Sequence, residues 1–254
     1  SVYGDREHEP QATRRDRLED VIENTMHQNG VLLIPAFSIE RTQELLYELE
    51  HMTAEGRIPP VPIYLDSPLA IKVTEIYKHS QVYFNANVSD PDHLRDGIFN
   101  FPNLHKTLTT EESRAISAIP GRKIIIAGSG MSNGGRIIHH EKHYLPSPTT
   151  TLLLIGYQAA GSLGRILEEG AKMVTILGSQ VSVQAKVVSL SGYSAHRDGP
   201  GLLEFVHQAG GSLEMVYTAM GEPKSSLFLV QRIRDYLGIR ASVPHLGDTV
   251  TLEL

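Results

Sequence analysis

Apolar positions recur along this chain with two periods, and the alternation of those periods predicts its fold class. Leu18, Val21, Ile22 and Met26 fall at helical spacing and predict a helix over 11–29, with Gly30 suited to its C-terminal end. The continuous apolar run 31–35 predicts a short buried strand. Ser38 is placed to cap the next helix, whose stripe is Ile39, Leu45, Leu46, Leu49 and Met52. A strand over 62–65 ends at Asp66; Ser67 can cap a further helix, with Pro68 at its first position. Residues 82–108 are polar and irregular. Thr109 and Glu112 are spaced as a capping box for a short helix to about Ile119. A strand over 123–127 leads through a glycine-rich segment into a helix carrying Arg136, His139, His140 and His143. Beyond Pro146 and Pro148, strands are predicted at 152–155, 174–177, 181–190, 213–218 and 249–254, with helices over roughly 198–209 and 223–237. Strands alternating with helices predict an α/β architecture, and the denser strand content after residue 150 suggests a different sub-domain there.

Four segments carry chemistry. Strand 123–127 feeds Gly128-Ser-Gly-Met-Ser-Asn-Gly-Gly135, so Ser129, Gly130, Ser132, Gly134 and Gly135 form a loop whose backbone N–H groups can converge on a phosphate, with Arg136 beside it. The loop is neither a Walker loop nor a dinucleotide fingerprint, and a tight turn requiring positive φ is an equally open reading. Gly156-Tyr-Gln-Ala-Ala-Gly-Ser-Leu-Gly-Arg165 comes after another apolar strand and offers Gln158, Ser162 and Arg165 at a strand end, where α/β sheets bind ligands. His139 and His143 have i, i+4 zinc spacing, but no acidic residue between them completes a metalloprotease pattern, which favours a surface polar cluster. Ser191-Gly-Tyr-Ser-Ala-His-Arg-Asp198 presents His196 and Asp198 after an apolar run, as a metal ligand with its support or as a hydrogen-bonded histidine at a seam. Asp66 more readily fixes a turn or caps a helix than catalyses, and His8 and His207 have no supporting context.

Composition narrows these readings. The 254 residues are 41% apolar and 20% charged, with 22 glycines and 14 prolines, which is a globular balance. The absence of cysteine excludes disulfides and thiolate metal sites and is compatible with a reducing cytoplasm. No signal peptide is recognised at Ser1, and no apolar run approaches the roughly 20 residues of a membrane span. A net charge of −6 argues against a bulk electrostatic grip on nucleic acid while leaving a local basic groove possible. No His-x-His-x-Asp-His cluster occurs, so most of a hydrolytic zinc site is lacking.

Six stretches, taken in order, resemble the β-CASP branch of the metallo-β-lactamase superfamily, the RNA-processing nucleases: 1–6, 34–46, Tyr64-Leu-Asp-Ser-Pro-Leu-Ala70, Gly128 to Arg136, Gly156 to Arg165, and Ser191 to Asp198. The resemblance implies a β-CASP domain over 5–150. It implies the C-terminal part of a metallo-β-lactamase-like αββα sandwich over 151–254, with 1–4 as the end of its preceding strand. It also implies two zinc ions that activate a hydroxide against an RNA phosphodiester, with His196 as a second-metal ligand supported by Asp198. The loops 128–136 and 156–165 would then hold the RNA backbone. The family's other ligands would precede Ser1, so the resemblance leaves the chain as a fragment or one completed by a partner, either the missing half or a homodimer mate. A half-sandwich would expose an apolar sheet face. Two departures are Ile166, where RNA-cleaving relatives have a histidine, and Met220-Gly-Glu222, where relatives have His-Gly-Glu. A catalytically inactive RNA-binding or assembly module, and a hydrolase of the same fold acting on another ester, are the alternatives.

Overall fold

In the computed structural model, which describes residues 1–84 and 98–251, strands that are buried at every position lie at the centre of a sheet covered on both faces. The chain divides into two units, Pro10–Tyr193 and a second formed by Ser1–Glu9 with Ser194–Leu254. The larger unit runs α1 (Gln11–His27), β1 (Val31–Pro35), α2 (Arg41–Ala54), β2 (Ile63–Asp66), α3 (Pro68–His79), β3 (Leu104–Lys106), α4 (Thr110–Ala115), β4 (Lys123–Ala127), α5 (Ile137–Tyr144), β5 (Thr151–Leu154), α6 (Leu163–Glu168), β6 (Met173–Ile176), β7 (Ser179–Ser182) and β8 (Lys186–Ser189). Its six-stranded sheet has the order β3-β2-β4-β1-β5-β8, and every pairing is parallel.

Alternate residues of each strand enter opposite cores. Leu32, Ile34, Ile63, Leu65, Ile124 and Ile126 pack with Leu18, Ile22, Leu45 and Leu49 from α1 and α2. Val31, Leu33, Ile125, Leu152 and Leu154 pack with Ile137, Tyr144 and Leu167 from α5 and α6. The mixed α/β class read from the sequence is the one observed.

Several local expectations change. Ser38 does not cap α2; Glu40, in the left-handed region at φ 66°, precedes it, and the Ser38 carbonyl instead accepts from Gln43 Nε2. Ile39 lies outside that helix and is exposed. The strand expected over 181–190 is two strands: the Gln184 and Ala185 N–H groups donate to the Leu145 carbonyl and turn the chain, so β7 pairs antiparallel with β6 while β8 joins β5. Both β5 and β8 extend the sheet begun before residue 150, and the compact unit continues to Tyr193. Much of the irregular stretch 82–108 falls outside the described residues, but its end contributes the unexpected edge strand β3.

The smaller unit holds α7 (Gly199–Gln208), β9 (Met215–Tyr217), α8 (Pro223–Leu237) and β10 (Arg240–Ser242), with β9 and β10 parallel. Val206, Leu229, Val230, Ile233 and Ala241 form its core. Pro223 starts α8 and Gly238, at φ 67°, ends it. Of the strand expected at 249–254, residues 249–251 form none and 252–254 lie outside the described residues. Among the described residues no helix is long and apolar enough to cross a membrane.

Candidate functional site

The two glycine loops of the larger unit come after β4 and β5 and dock directly on each other at the carboxyl ends of those strands. Gly164 N donates to Met131 O at 3.1 Å and Leu163 N to Asn133 Oδ1 at 3.1 Å. Gln158 Nε2 donates to Gly130 O at 3.1 Å and to Gly156 O at 3.0 Å. The structure therefore brings Ser129, Gly130, Ser132, Gly134, Gly135, Gln158 and Ser162 into one assembly. Within it, several of the polar side chains face inward. Gln158 and Ser162 are buried, and Ser162 caps α6 by accepting from Arg165 N at 3.2 Å. Arg165 donates to Glu169 Oε1 at 2.7 Å and to Gln158 O at 3.2 Å. Ser132, at φ 58°, is buried and donates its hydroxyl to Glu141.

Three of the glycines here, Gly130, Gly135 and Gly164, are sterically required. A Cβ on Gly130 would stand 2.7 Å from the Phe37 ring, and one on Gly164 would stand 1.9 Å from Gln158 Oε1. Gly135 combines φ +70° with a Cβ position 2.3 Å from Gly128 O, whereas a Cβ on Gly134 meets nothing within 4 Å. Gly135→Ala is therefore expected to destabilise the protein by about 2 kcal/mol or more, through left-handed strain plus overlap. Gly134→Ala leaves thermal unfolding unchanged, and a denaturation series on the two variants checks the contrast.

Arg136 has a different environment from a freely extended phosphate ligand. Its Nη1 donates to Asp66 Oδ1 at 2.7 Å and to Thr107 O at 2.9 Å, and its Nη2 to Leu108 O at 2.9 Å. Asp66, fully buried at the end of β2, also accepts from Thr107 Oγ1, Ser113 Oγ and His140 Nε2, each at 2.6 Å. Burial alone would raise its pKa, but the donors His140, Ser113, Thr107 and Arg136 together outweigh that and hold it at about 2. Asp66 thus ties β2 to the β3–α4 connection and to the start of α5; the helix cap is Ser67, which accepts from Ala70 N at 3.3 Å. The three histidines of α5 separate by face: His140 is buried on Asp66, while His139 and His143 are exposed. Sequence reasoning missed this hub, whose only signal was an acid closing a buried strand with Arg and His at i, i+4 on a later helix.

In the smaller unit, His196 is exposed, and its backbone rather than its ring is tethered: His8 Nε2 donates to His196 O at 2.8 Å. Asp198 Oδ1 accepts from Gly201 N at 3.0 Å as the N-cap of α7, and Oδ2 accepts from His8 N at 3.1 Å. Burial acts to raise the Asp198 pKa, and these N–H donors bring it below the ordinary carboxylate value. The His8 ring meets the Tyr3 ring edge-on at 4.4 Å, and Tyr3 lies 6.2 Å from the His196 ring. His8, unremarkable in sequence, thus fixes the turn that presents His196. Ile166 and Met220 are both exposed, Met220 at φ 64°.

Zinc hydrolases use three protein ligands or more. His196 offers one imidazole and both Asp198 oxygens hold backbone N–H groups. Among the described residues no group of three or more His, Cys, Asp or Glu could hold a metal ion. These residues do not fit a zinc site by themselves.

Residues 42–167 match the Beta-Casp domain family, and residues 180–244 match the Zn-dependent metallo-hydrolase RNA specificity domain. Ribonuclease TTHA0252 of Thermus thermophilus is 41% identical over 206 residues, covering 81% of this chain and 47% of that protein. Transcription termination factor FttA of Methanosarcina mazei is 31% identical over 247 residues, covering 92% of this chain and 38% of its own. An RNase J-like protein of Methanocaldococcus jannaschii is 32% identical over 240 residues, covering 94% and 54%. The chain spans about half the length of these relatives or less. Zinc dependence is thereby supported at the level of the family. With both domains matched in order, the chain belongs to the β-CASP branch of the metallo-β-lactamase superfamily.

Proposed function

We propose that this protein acts in zinc-dependent RNA processing by phosphodiester cleavage, with this chain supplying the RNA-holding loops and one zinc ligand, His196, supported by Asp198. The observation that carries the reading is the docked pair of loops after β4 and β5. Their serines, Gln158 and Arg165 are largely engaged inside, yet the N–H groups of Gly134 and Gly135 make no hydrogen bond among the described residues. Two adjacent N–H groups at a strand end suit a phosphate oxygen. When bound, zinc would supply an activated hydroxide and charge stabilisation. The chain's own contribution is to hold the strand and, through the exposed His196 ring, to offer one nitrogen donor. Because Arg136 is held by Asp66, Thr107 O and Leu108 O, its role toward RNA is indirect: it anchors the end of the glycine loop.

The test is binding of fluorescein-labelled single-stranded RNA across a salt series, followed by product analysis with added zinc. Affinity that falls steeply with salt is expected. Gly134→Ala is expected to weaken binding several-fold without altering thermal stability. Binding that is unchanged in Gly134→Ala and insensitive to salt rejects the loop assignment.

A second reading is favoured by the single imidazole at Ser194–Asp198: this chain binds RNA without turning it over and is completed by another polypeptide. RNA binding with no cleavage at saturating zinc, restored to cleavage by a chain carrying a His-x-His-x-Asp-His cluster, distinguishes it.

A further inference from the structure

Between α4, with the short turn Ile116–Ala118 after it, and α5 lies a cleft of about 450 Å³. Thr110, Ser113, Arg114 and Ser117 line one wall, and Gly135, Arg136, His139, His140 and His143 the other. Among the described residues no carboxylate lines it. Asp66 lies fully buried against Arg136, His140 and Ser113, and the nearby Glu112 carboxylate is turned to the N–H groups of Leu108 and Thr109.

Ser117 Oγ donates to Arg114 O at 2.9 Å, and the charged and imidazole donors remaining on the cleft surface have no internal acceptor. The Arg114 guanidinium and the His139 imidazole make no hydrogen bond or ion pair among the described residues, and His143 makes only an edge contact to the Tyr144 ring at 4.5 Å. Arg114 and His143 come from different helices, so the walls approach the same space from two sides. A concave surface of about this size with convergent donors and no acceptor charge recognises an anion. A metal ion fits worse: among the described residues two imidazoles are free there, no carboxylate accompanies them, and a guanidinium stands opposite.

We propose that the α4–α5 cleft is a phosphate-binding site, engaging a phosphate group of a nucleotide or an RNA strand through Arg114, His139 and His143. It shares Gly135 with the glycine loop, so a strand held at that loop can continue into the cleft. The choice of RNA as the source of the phosphate rests on the function proposed above; the anion site itself rests on the cleft.

The experiment is calorimetric titration of the chain, and of an Arg114→Ala/His143→Ala variant, with inorganic phosphate, adenosine 5′-monophosphate and a short oligouridylate bearing a 5′-hydroxyl. Both substituted residues are exposed, so thermal unfolding of the variant is expected to match the parent. Phosphate and the monophosphate are expected to bind the parent and to bind the variant about tenfold more weakly, as befits the loss of charge-assisted bonds. A preference for the monophosphate over the oligonucleotide identifies a terminal phosphate as the ligand, and competition between oligonucleotide and phosphate identifies an internal one. Phosphate binding without oligonucleotide binding upholds the cleft and removes the RNA reading. Oligonucleotide and phosphate binding that are both equal in the two proteins overturn the cleft. The absence of phosphate binding, or zinc uptake at His139 and His143 in its place, also overturns it.

Discussion

Asp66→Ala is expected to lower the stability of the larger unit by about 3–5 kcal/mol, the cost of leaving buried charge partners uncompensated. The substitution strips the acceptor from Arg136, His140, Ser113 and Thr107 at once, and these belong to α5, α4 and the β3–α4 connection. For a chain of this size the melting temperature should fall by about 10 °C. Acid provides an independent check. The folded pKa of Asp66 is depressed to about 2 from an ordinary value of 3.8, so its stabilisation is complete above the unfolded value and is lost as pH falls from about 4 toward 2. That window corresponds to about 2 kcal/mol. Urea unfolding at pH 6 and at pH 3 should show the parent losing stability that Asp66→Asn does not lose. If Asp66→Ala melts with the parent, the hub does not organise the loops.

The same residue shows where sequence reading stops. The strands β1 and β4, the helix α8 and the caps at Ser67 and Thr109 were legible because each rests on local information: an apolar run, a proline at the helix start, or a side chain three residues from its N–H partner. Asp66 takes its partners from residues 41 to 74 positions away, and no local pattern encodes those distances. The run 181–190 was misread for a similar reason. Its apolar residues alternate with polar ones without interruption from Val181 to Val187, and the break comes from a remote carbonyl, Leu145 O, that captures two successive N–H groups. The short strand β10 has polar ends and is fixed only by its parallel partner β9.

The candidate site was legible as segments and not as roles. Glycines 128–135 and 156–164 announced two loops, and they approach each other closely at Gly164, where an added Cβ would stand 3.2 Å from Met131 O. The side chains chosen as ligands were partly the ones the loops use to hold themselves: Gln158 bridges the loops, Ser162 caps α6, and Arg136 braces Asp66. A glycine loop that must be rigid needs internal polar partners, and composition cannot separate those from groups reserved for a ligand. His8 shows the converse, since its role depends on Asp198 and the His196 carbonyl, nearly 190 positions away.

Glu141 leads to the second large expectation, at the opposite end of the pH scale. It lies on α5, fully buried; Ser132 donates to its Oε1 and its Oε2 has no hydrogen-bond partner among the described residues. Burial pushes its pKa up to about 8, against which the Ser132 bond acts in the other direction. The carboxyl is therefore protonated in the folded chain at neutral pH and ionised in the unfolded chain. For a raised acid the folded state holds the extra proton, so stability declines with rising pH from about 4.5 to about 8 and then levels off. Between pH 6 and pH 8 the decline should be about 2 kcal/mol, since one proton contributes about 1.4 kcal/mol per pH unit. Glu141→Gln keeps an acceptor for Ser132 and cannot ionise, so its unfolding free energy should be flatter across this range, whatever its absolute stability. Because Ser132 sits within the glycine loop, ionisation of Glu141 would also act on the loop backbone. Hydrogen exchange at 129–135 should quicken between pH 6 and pH 8, after correction for the intrinsic rate, in the parent and not in Glu141→Gln. Parallel pH profiles for the two proteins would mean that Glu141 is already ionised in the folded state.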